Sequence, residues 1–482
     1  MKHRKEIFMA NQASLSKKDT EFREFALHAD MWRVVLYVCA PLALYQSLTQ
    51  IFKIFDSMMA AHISANSVSA VAYLSQINLM LSALGGGLAV GASIKVSEAY
   101  GAGDYMLVKK RVSTLFALCG ILGGGILLVL VPFSSQFLRL AKTPESFIQE
   151  GSRYFILELV ISFFNNVYIA IERARGNSKR ILHLNLIVIA IKLSLTALFV
   201  YVLHSGINMI AVATIVSQSA LLLSAVYNLN QKGNAFGFSL SSITMKRNVV
   251  APMIGLSIPV IIEKTAFAFG KVVINSMSTV YDALVVGALG ISNNIGGFTT
   301  SPQNGFQEGG SAIISQNLGA GNAKRALEAF KWVFVFCCLI GIVLMSITMI
   351  FLKQVCWMFA GEDEAFGTLI GAVYRYEALG AVPLGMCSAV MSLLYGFGKT
   401  RITLFINFSR VFLFRIPVLW FLQNFTDLGS ISVGIVMAVS NVSIGVLAMI
   451  IGVFEIRKIC KEYDVSFWTH TNASSPRDLP IH

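Results

Sequence analysis

Two carboxylates, Asp56 and Glu263, stand inside long apolar stretches of this sequence, and a third, Glu377, follows in a similar setting. An ionisable side chain at membrane depth costs about 2.5–3.5 kcal/mol to insert, so it marks an ion path by default. A carboxylate held away from water can exchange a proton near neutral pH, because desolvation disfavours its charge. Five cations also fall in apolar surroundings: Lys53, Lys192, Lys271, Arg410 and Arg415. The plain alternative is structural. Asp56 would pair with Lys53 one turn back, and Glu263 with Lys264 or Lys271, while Lys192 and the arginines snorkel or brace helices. In the functional reading Lys192 holds Asp56 as an ion pair, stands in for a bound Na⁺, or favours anionic groups on a substrate; Arg410 and Arg415 pose the same question. Gln50, Asn165, Asn166, Asn185 and Gln218 suit a polar cavity, or else tie helices together.

No catalytic constellation accompanies these residues. The sequence has no His-Glu-x-x-His, no nucleophile elbow and no Walker motif, so neither an embedded enzyme nor ATP drive within the chain is expected. The seven cysteines lack metal-ligand spacing and fit small core positions. No cofactor is expected beyond a coupling ion, H⁺ or Na⁺.

The elements that must position these side chains are membrane helices. Hydrophobic residues make up 55% of the 482 and charged residues 13%, about half the charged share of a soluble surface. Apolar runs of about 20 residues or more recur, each enough to cross the roughly 30 Å hydrocarbon layer as a helix. They are continuous and do not alternate in twos, which selects helices over a barrel. We place twelve spans at 34–60, 68–99, 112–131, 153–173, 181–203, 207–229, 250–278, 284–316, 330–352, 367–397, 402–422 and 429–456. Asp56 then lies about 33 Å along the first span, and Glu263 near the middle of the seventh. The polar residues 1–33 and the last fifteen or so read as mobile tails.

The net charge of +13 follows from topology and does not call for nucleic acid. Lys109, Lys110, Arg111, Arg173, Arg175, Lys179, Arg180, Lys246, Arg247, Lys324, Arg325, Lys399, Arg401 and Arg457 fall in alternate loops. The positive-inside rule puts those loops and both termini in the cytoplasm, with the chain in the plasma membrane.

An internal repeat organises the spans. Pro259 follows Pro41 by 218 residues (259 − 41), and the same offset relates Lys53 to Lys271, Gly91 to Gly309, Ser93 to Ser311 and Ser97 to Ser315. It also relates Gly101-Ala102-Gly103 to Gly319-Ala320-Gly321. The offset drifts to 222 at Gly176 and Gly398 and at Asn185 and Asn407, then to 223 at Gln218 and Asn441. The fold expected is an all-α polytopic membrane protein of about twelve helices in two six-helix pseudo-symmetric lobes. The domains are a tail (1–33), an N-lobe (34–229), a linker (230–249), a C-lobe (250–456) and a second tail (457–482). Six is even, so an axis along the membrane normal relates the lobes, with a cavity between them.

Here the residues resemble a known pattern. Pro41, Gln50 and Asp56 in the first span, with the Gly-rich runs GGGLAVGASIKVSEAYGAGD and GGSAIISQNLGAGNAKRA closing the second and eighth, are similar to the MATE (multidrug and toxic compound extrusion) family. The resemblance implies multidrug efflux coupled to inward movement of H⁺ or Na⁺ through two alternating lobes. It implies amphipathic small-molecule substrates and the bilayer as partners, and a monomer is expected. The resemblance gives Asp56 the coupling role. It leaves Glu263 one turn short of the glutamate some relatives carry, where this chain has Phe267, and puts Leu384 where they carry a second acid, two turns from Glu377. Another branch has an acid in the fifth span, which here holds Lys192. The runner-up function is a flippase for a lipid-linked oligosaccharide or other anionic lipid, motivated by the buried cations. A membrane-embedded enzyme is the alternative of a different class.

Overall fold

A computed structural model describes residues 15–63, 65–140, 145–205, 208–231, 234–361 and 363–467. The described part is helical. A short helix α1 (Lys17–His28) precedes α2 (Met31–Ile63), α3 (Ala65–Ala102), α4 (Tyr105–Leu140), α5 (Glu145–Ala174), α6 (Ser178–Ala197) and α7 (Asn208–Leu229). The second half holds α8 (Arg247–Ser278), α9 (Ala283–Gly319), α10 (Ala323–Ile350) and the short α11 (Leu352–Ala360). It continues with α12 (Glu364–Ala378), α13 (Ala381–Gly396), α14 (Thr400–Phe412), α15 (Ile416–Phe425) and α16 (Ile431–Glu462). Among the described residues, eight helices are long and apolar enough to cross a bilayer, and α12 with α13, bent by 47°, forms a ninth. α3, α5 and α9 complete twelve crossings; they are long enough but richer in Gly, Ser, Asn and charge, because α3 and α9 face protein more than lipid.

Two expected spans are interrupted. The tenth bends at Leu379 and Gly380, and the eleventh breaks between Phe412 and Ile416. Pro383 has no N–H for the Leu379 carbonyl, and Pro417 has none for that of Leu413, so each ladder loses a bond at the break. The N-terminal segment also differs from the mobile tail expected. Ser16 caps α1 by accepting from the Asp19 amide at 3.2 Å. Arg175 grips the Asp19 carboxylate with two bonds of 2.6 and 2.8 Å, and Tyr100 donates to the Asp19 carbonyl at 2.7 Å. Phe22 packs on the cores of both halves, so α1 is docked. Residues 239–244 lie on α4, where the Ser239 amide donates to Ser113 and the Thr244 amide to Thr114.

The repeat is visible in matched contacts. The turns after α3 and α9 each place a glycine in the left-handed region, Gly103 at φ 78° and Gly321 at φ 75°. The turns after α5 and α13 do the same with Gly176 at 81° and Gly398 at 69°. Between the halves, α3 packs on α8 and α9 on α2. Gly87 abuts Ile261 and Gly91 abuts Ser257; 218 residues on and back, Gly305 abuts Ala43 and Gly309 abuts Cys39. Gly101 lies on the Gln316 backbone as Gly319 lies on that of Glu98. Ser257 donates to the Leu88 carbonyl at 3.1 Å, and its counterpart Cys39 to the Phe306 carbonyl at 3.8 Å. Each pair maps onto the other when the halves are exchanged, which is two-fold pseudo-symmetry. Glycine at these crossings lets backbones meet, since a methyl added at Gly87 would come within 2.6 Å of the Ile261 Cα. All these contacts fall in the half of the bundle toward α1 and the end of α16, so the two lobes are in contact along that half.

Candidate functional site

Glu263 lies on α8, 5% exposed, and its carboxylate accepts three hydrogen bonds. Tyr395 of α13 donates at 2.6 Å and Asn407 of α14 at 2.7 Å to one oxygen, and Thr403 of α14 donates at 2.8 Å to the other. All three donors are neutral side chains of α13 and α14. Three hydrogen bonds support the ionised form, and burial favours the neutral one. The Thr403 hydroxyl also has the Thr400 carbonyl within 2.9 Å. On protonation of Glu263, that hydroxyl can donate to Thr400 and accept from the acid. The Glu263 carboxyl is thereby tied to contacts among α8, α13 and α14.

A second polar group surrounds Phe267, one turn further along α8. The Arg410 guanidinium lies 5.3 Å from the Phe267 ring centre and the Lys271 ammonium 5.2 Å from it. Arg410 donates to the Asn441 Oδ1 at 2.8 Å, and Arg415, 4% exposed, donates to the same oxygen at 3.2 Å and to Ser440 at 3.2 Å. Glu377 is hydrogen-bonded by Ser292, and its charge is felt by both arginines and Lys271. Asn441 also packs against Gly380, so the arginines are anchored beside the bend between α12 and α13.

At the closed end of the seam, Arg173 of α5 forms an ion pair with Glu308 of α9. Gln316 of α9 donates to the Ala174 carbonyl at 2.7 Å. Lys264 faces this pair and lies near Gly86 of α3. Further from the termini, Gln50 of α2 reaches the Asn294 carbonyl of α9 at 3.3 Å, so it joins the two halves.

The remaining candidates are spread through the first half. Asn165 of α5 donates to the Gln218 backbone and side chain on α7, at 3.0 and 2.9 Å, tying two helices. Asn185 is buried and bonds back to Ile181 of its own helix at 2.8 Å. Asn166 and Lys192 are half-buried on α5 and α6. Lys53 and Asp56 belong to α2, but their side chains lie outside the described residues. Sequence reasoning missed Tyr395 and Thr403, and it missed Ser292 and the Arg173–Glu308 pair. Asn407 and Asn441 had surfaced only as repeat partners of Asn185 and Gln218.

Comparison with known proteins decides the family. The MatE family model matches residues 41–198 and again 259–421, two copies that begin at Pro41 and Pro259. The chain belongs to the MATE family. It is 22% identical over 345 residues to a probable multidrug resistance protein YoeA of Bacillus subtilis (strain 168), covering 69% of this chain and 74% of that protein. It is 20% identical over 342 residues to the multidrug export protein MepA of Staphylococcus haemolyticus (strain JCSC1435), covering 70% and 75%. Solved structures share the fold. The outward-facing conformation of a multidrug resistance MATE family transporter of the MOP superfamily superposes with a TM-score of 0.86 at 18% identity, over 92% of this chain and 99% of that one. A MOP superfamily transporter from Pyrococcus furiosus Vc1, described by the reverse polarity of its binding pocket, gives the same figures. The MATE fold is a two-lobed bundle of twelve membrane helices, here an N-lobe (α2–α7) and a C-lobe (α8–α16). The chain is thus a multi-pass membrane protein of a multidrug efflux transporter family.

Proposed function

We propose that this MATE protein is a cation-coupled antiporter that exports amphipathic small molecules by alternating access, and that it carries no enzymatic activity. The observation that carries the reading is the seam. The lobes meet through symmetric glycine contacts at one membrane face, and a buried carboxylate, Glu263, sits on α8, one of the helices forming that contact. An inward-moving H⁺ or Na⁺ occupies Glu263 and the Asp56 region and favours one lobe arrangement, and substrate favours the other. One charge falling through 100 mV supplies about 2.3 kcal/mol, some 50-fold accumulation per cation.

By the distribution of Lys and Arg, both termini lie in the cytoplasm; a monomer in the plasma membrane completes the reading. The tails are then 1–33 and 457–482, flanking lobes at 34–229 and 250–456 joined by 230–249. In that orientation the seam is shut toward the cytoplasm and the arrangement faces outward.

The test is dye efflux from proteoliposomes under separately imposed proton and sodium gradients. Export driven by one gradient and abolished by its dissipation is the expected result. Equal dye loss with and without gradients, matching empty liposomes, would rule the reading out.

A further inference from the structure

The face of α8 that meets α3 runs through Ser257 and Ile261. Positions three or four apart share a helix face, so the same stripe continues through Lys264, Phe267 and Lys271. Along it burial relaxes: Lys264 and Phe267 are half-buried and Lys271 is exposed. Phe267 and its two cations therefore lie on the seam, beyond its closed end.

The charge there is unbalanced: three cations, Arg410, Arg415 and Lys271, share one acid, Glu377. Arg410 and Arg415 both spend a donor on one acceptor, the Asn441 Oδ1. Two neighbouring buried nitrogens, the Arg410 Nε and the Asn441 Nδ2, have no hydrogen-bond partner. Both are donors, and an arginine stays charged at any physiological pH. A buried donor without a partner is costly, and more so when it is charged. What satisfies the pair is an acceptor, and beside two guanidinium groups the best acceptor is an anionic oxygen. Phe267 adds a flat apolar surface at the same place.

We propose that this C-lobe site binds the anionic group of the transported molecule, a carboxylate, sulfonate or phosphate on an aromatic or apolar body. This rests on the transporter reading and names its substrate class. The anion would come either from a free organic acid or from a lipid headgroup.

The test uses the full chain in proteoliposomes with two dyes that share a xanthene body, anionic 5-carboxyfluorescein and cationic rhodamine 6G. A third arm follows NBD-labelled phosphatidylglycerol across the bilayer by dithionite quenching. The proposal expects transport of carboxyfluorescein or of the labelled lipid, the two arms separating a free acid from a headgroup. It expects the ratio of anionic to cationic transport to fall at least tenfold in Arg410→Gln. Asn441→Asp puts a carboxylate between the arginines with almost no change in shape, so it should produce the same fall even where Arg410→Gln folds poorly. Transport of rhodamine 6G alone, or an unchanged ratio in Asn441→Asp, would overturn the substrate class and leave the transporter reading standing. Movement of none of the three probes under any gradient would overturn both.

Discussion

Arg173 and Glu308 pair across the seam, one from each lobe, at the end of the bundle that carries α1 and the end of α16. Their side chains are 8% and 25% exposed. Breaking a fully buried pair costs about 3–5 kcal/mol, and partial exposure of Glu308 lowers this to about 1–2 kcal/mol. Glu308→Gln should therefore shift the closed–open balance of that face about tenfold toward open. Spin labels at the exposed Lys110 and Arg401 would report it as a longer distance population. Identical distance distributions in variant and parent would show that the pair does not hold the seam.

In Glu263→Gln the amide oxygen can accept from Tyr395 and Asn407, and the NH₂ can donate to the Thr403 hydroxyl, which turns to the Thr400 carbonyl. Glu263→Gln should keep its thermal stability and lose gradient-driven efflux. Glu263→Ala strands the Tyr395 and Asn407 donors and should unfold several degrees lower. Asp56→Asn should behave as Glu263→Gln does. Full efflux in a well-expressed Asp56→Asn or Glu263→Gln protein would remove that residue from coupling.

Gly87 and Gly305 occupy equivalent places in the two crossings of the seam. A methyl at Gly87 meets the Ile261 Cα at 2.6 Å, and one at Gly305 meets the Ala43 Cα at 2.6 Å. Backbone cannot yield as a flexible side chain does, so Gly87→Ala and Gly305→Ala should each prop the face open, by similar amounts. The same Lys110 and Arg401 labels measure this. A large effect from one and none from the other would mean that the halves do not close symmetrically.

Asp19 holds α1 on the N-lobe through Arg175, and Arg325 of the C-lobe donates to the Ala29 carbonyl at 2.7 Å. Charge-assisted bonds of this kind contribute about 1.5–3 kcal/mol. Asp19→Asn should free α1 and raise the rate of tryptic cleavage at Lys17, Lys18 and Arg23 by about tenfold or more. Unchanged cleavage would show that the apolar contacts of Phe22 and Phe25 hold the helix unaided.

The bundle was legible because each crossing is one continuous apolar run, and because Pro41, Gly91 and Gly101 return at a constant offset as Pro259, Gly309 and Gly319. Hydropathy says little about where a helix breaks inside such a run. Pro383 and Pro417 were the available signals for the bend at Gly380 and the break before Ile416. The docked α1 escaped notice because twelve polar-looking residues hide two inward phenylalanines. Glu263 was found, but its partners were not. Tyr395, Thr403 and Asn407 lie 132, 140 and 144 residues away, and only packing of α13 and α14 on α8 brings them in. The neighbouring Lys264, the obvious pairing from sequence, turns instead toward Glu308 and Arg173.

At the repeat offset, Glu263 corresponds to Tyr45 (263 − 218), and Asn407, which holds the acid, corresponds to Asn185, which merely bonds its own helix. The glycine crossings, by contrast, have kept their twins. Duplication left the glycine crossings in matched sets, while the hydrogen bonds around Glu263 have no twin at Tyr45 and Asn185. A lineage could thus vary the polar residues packed on α8 within the second half of the gene and still keep the glycine crossings that join the two halves.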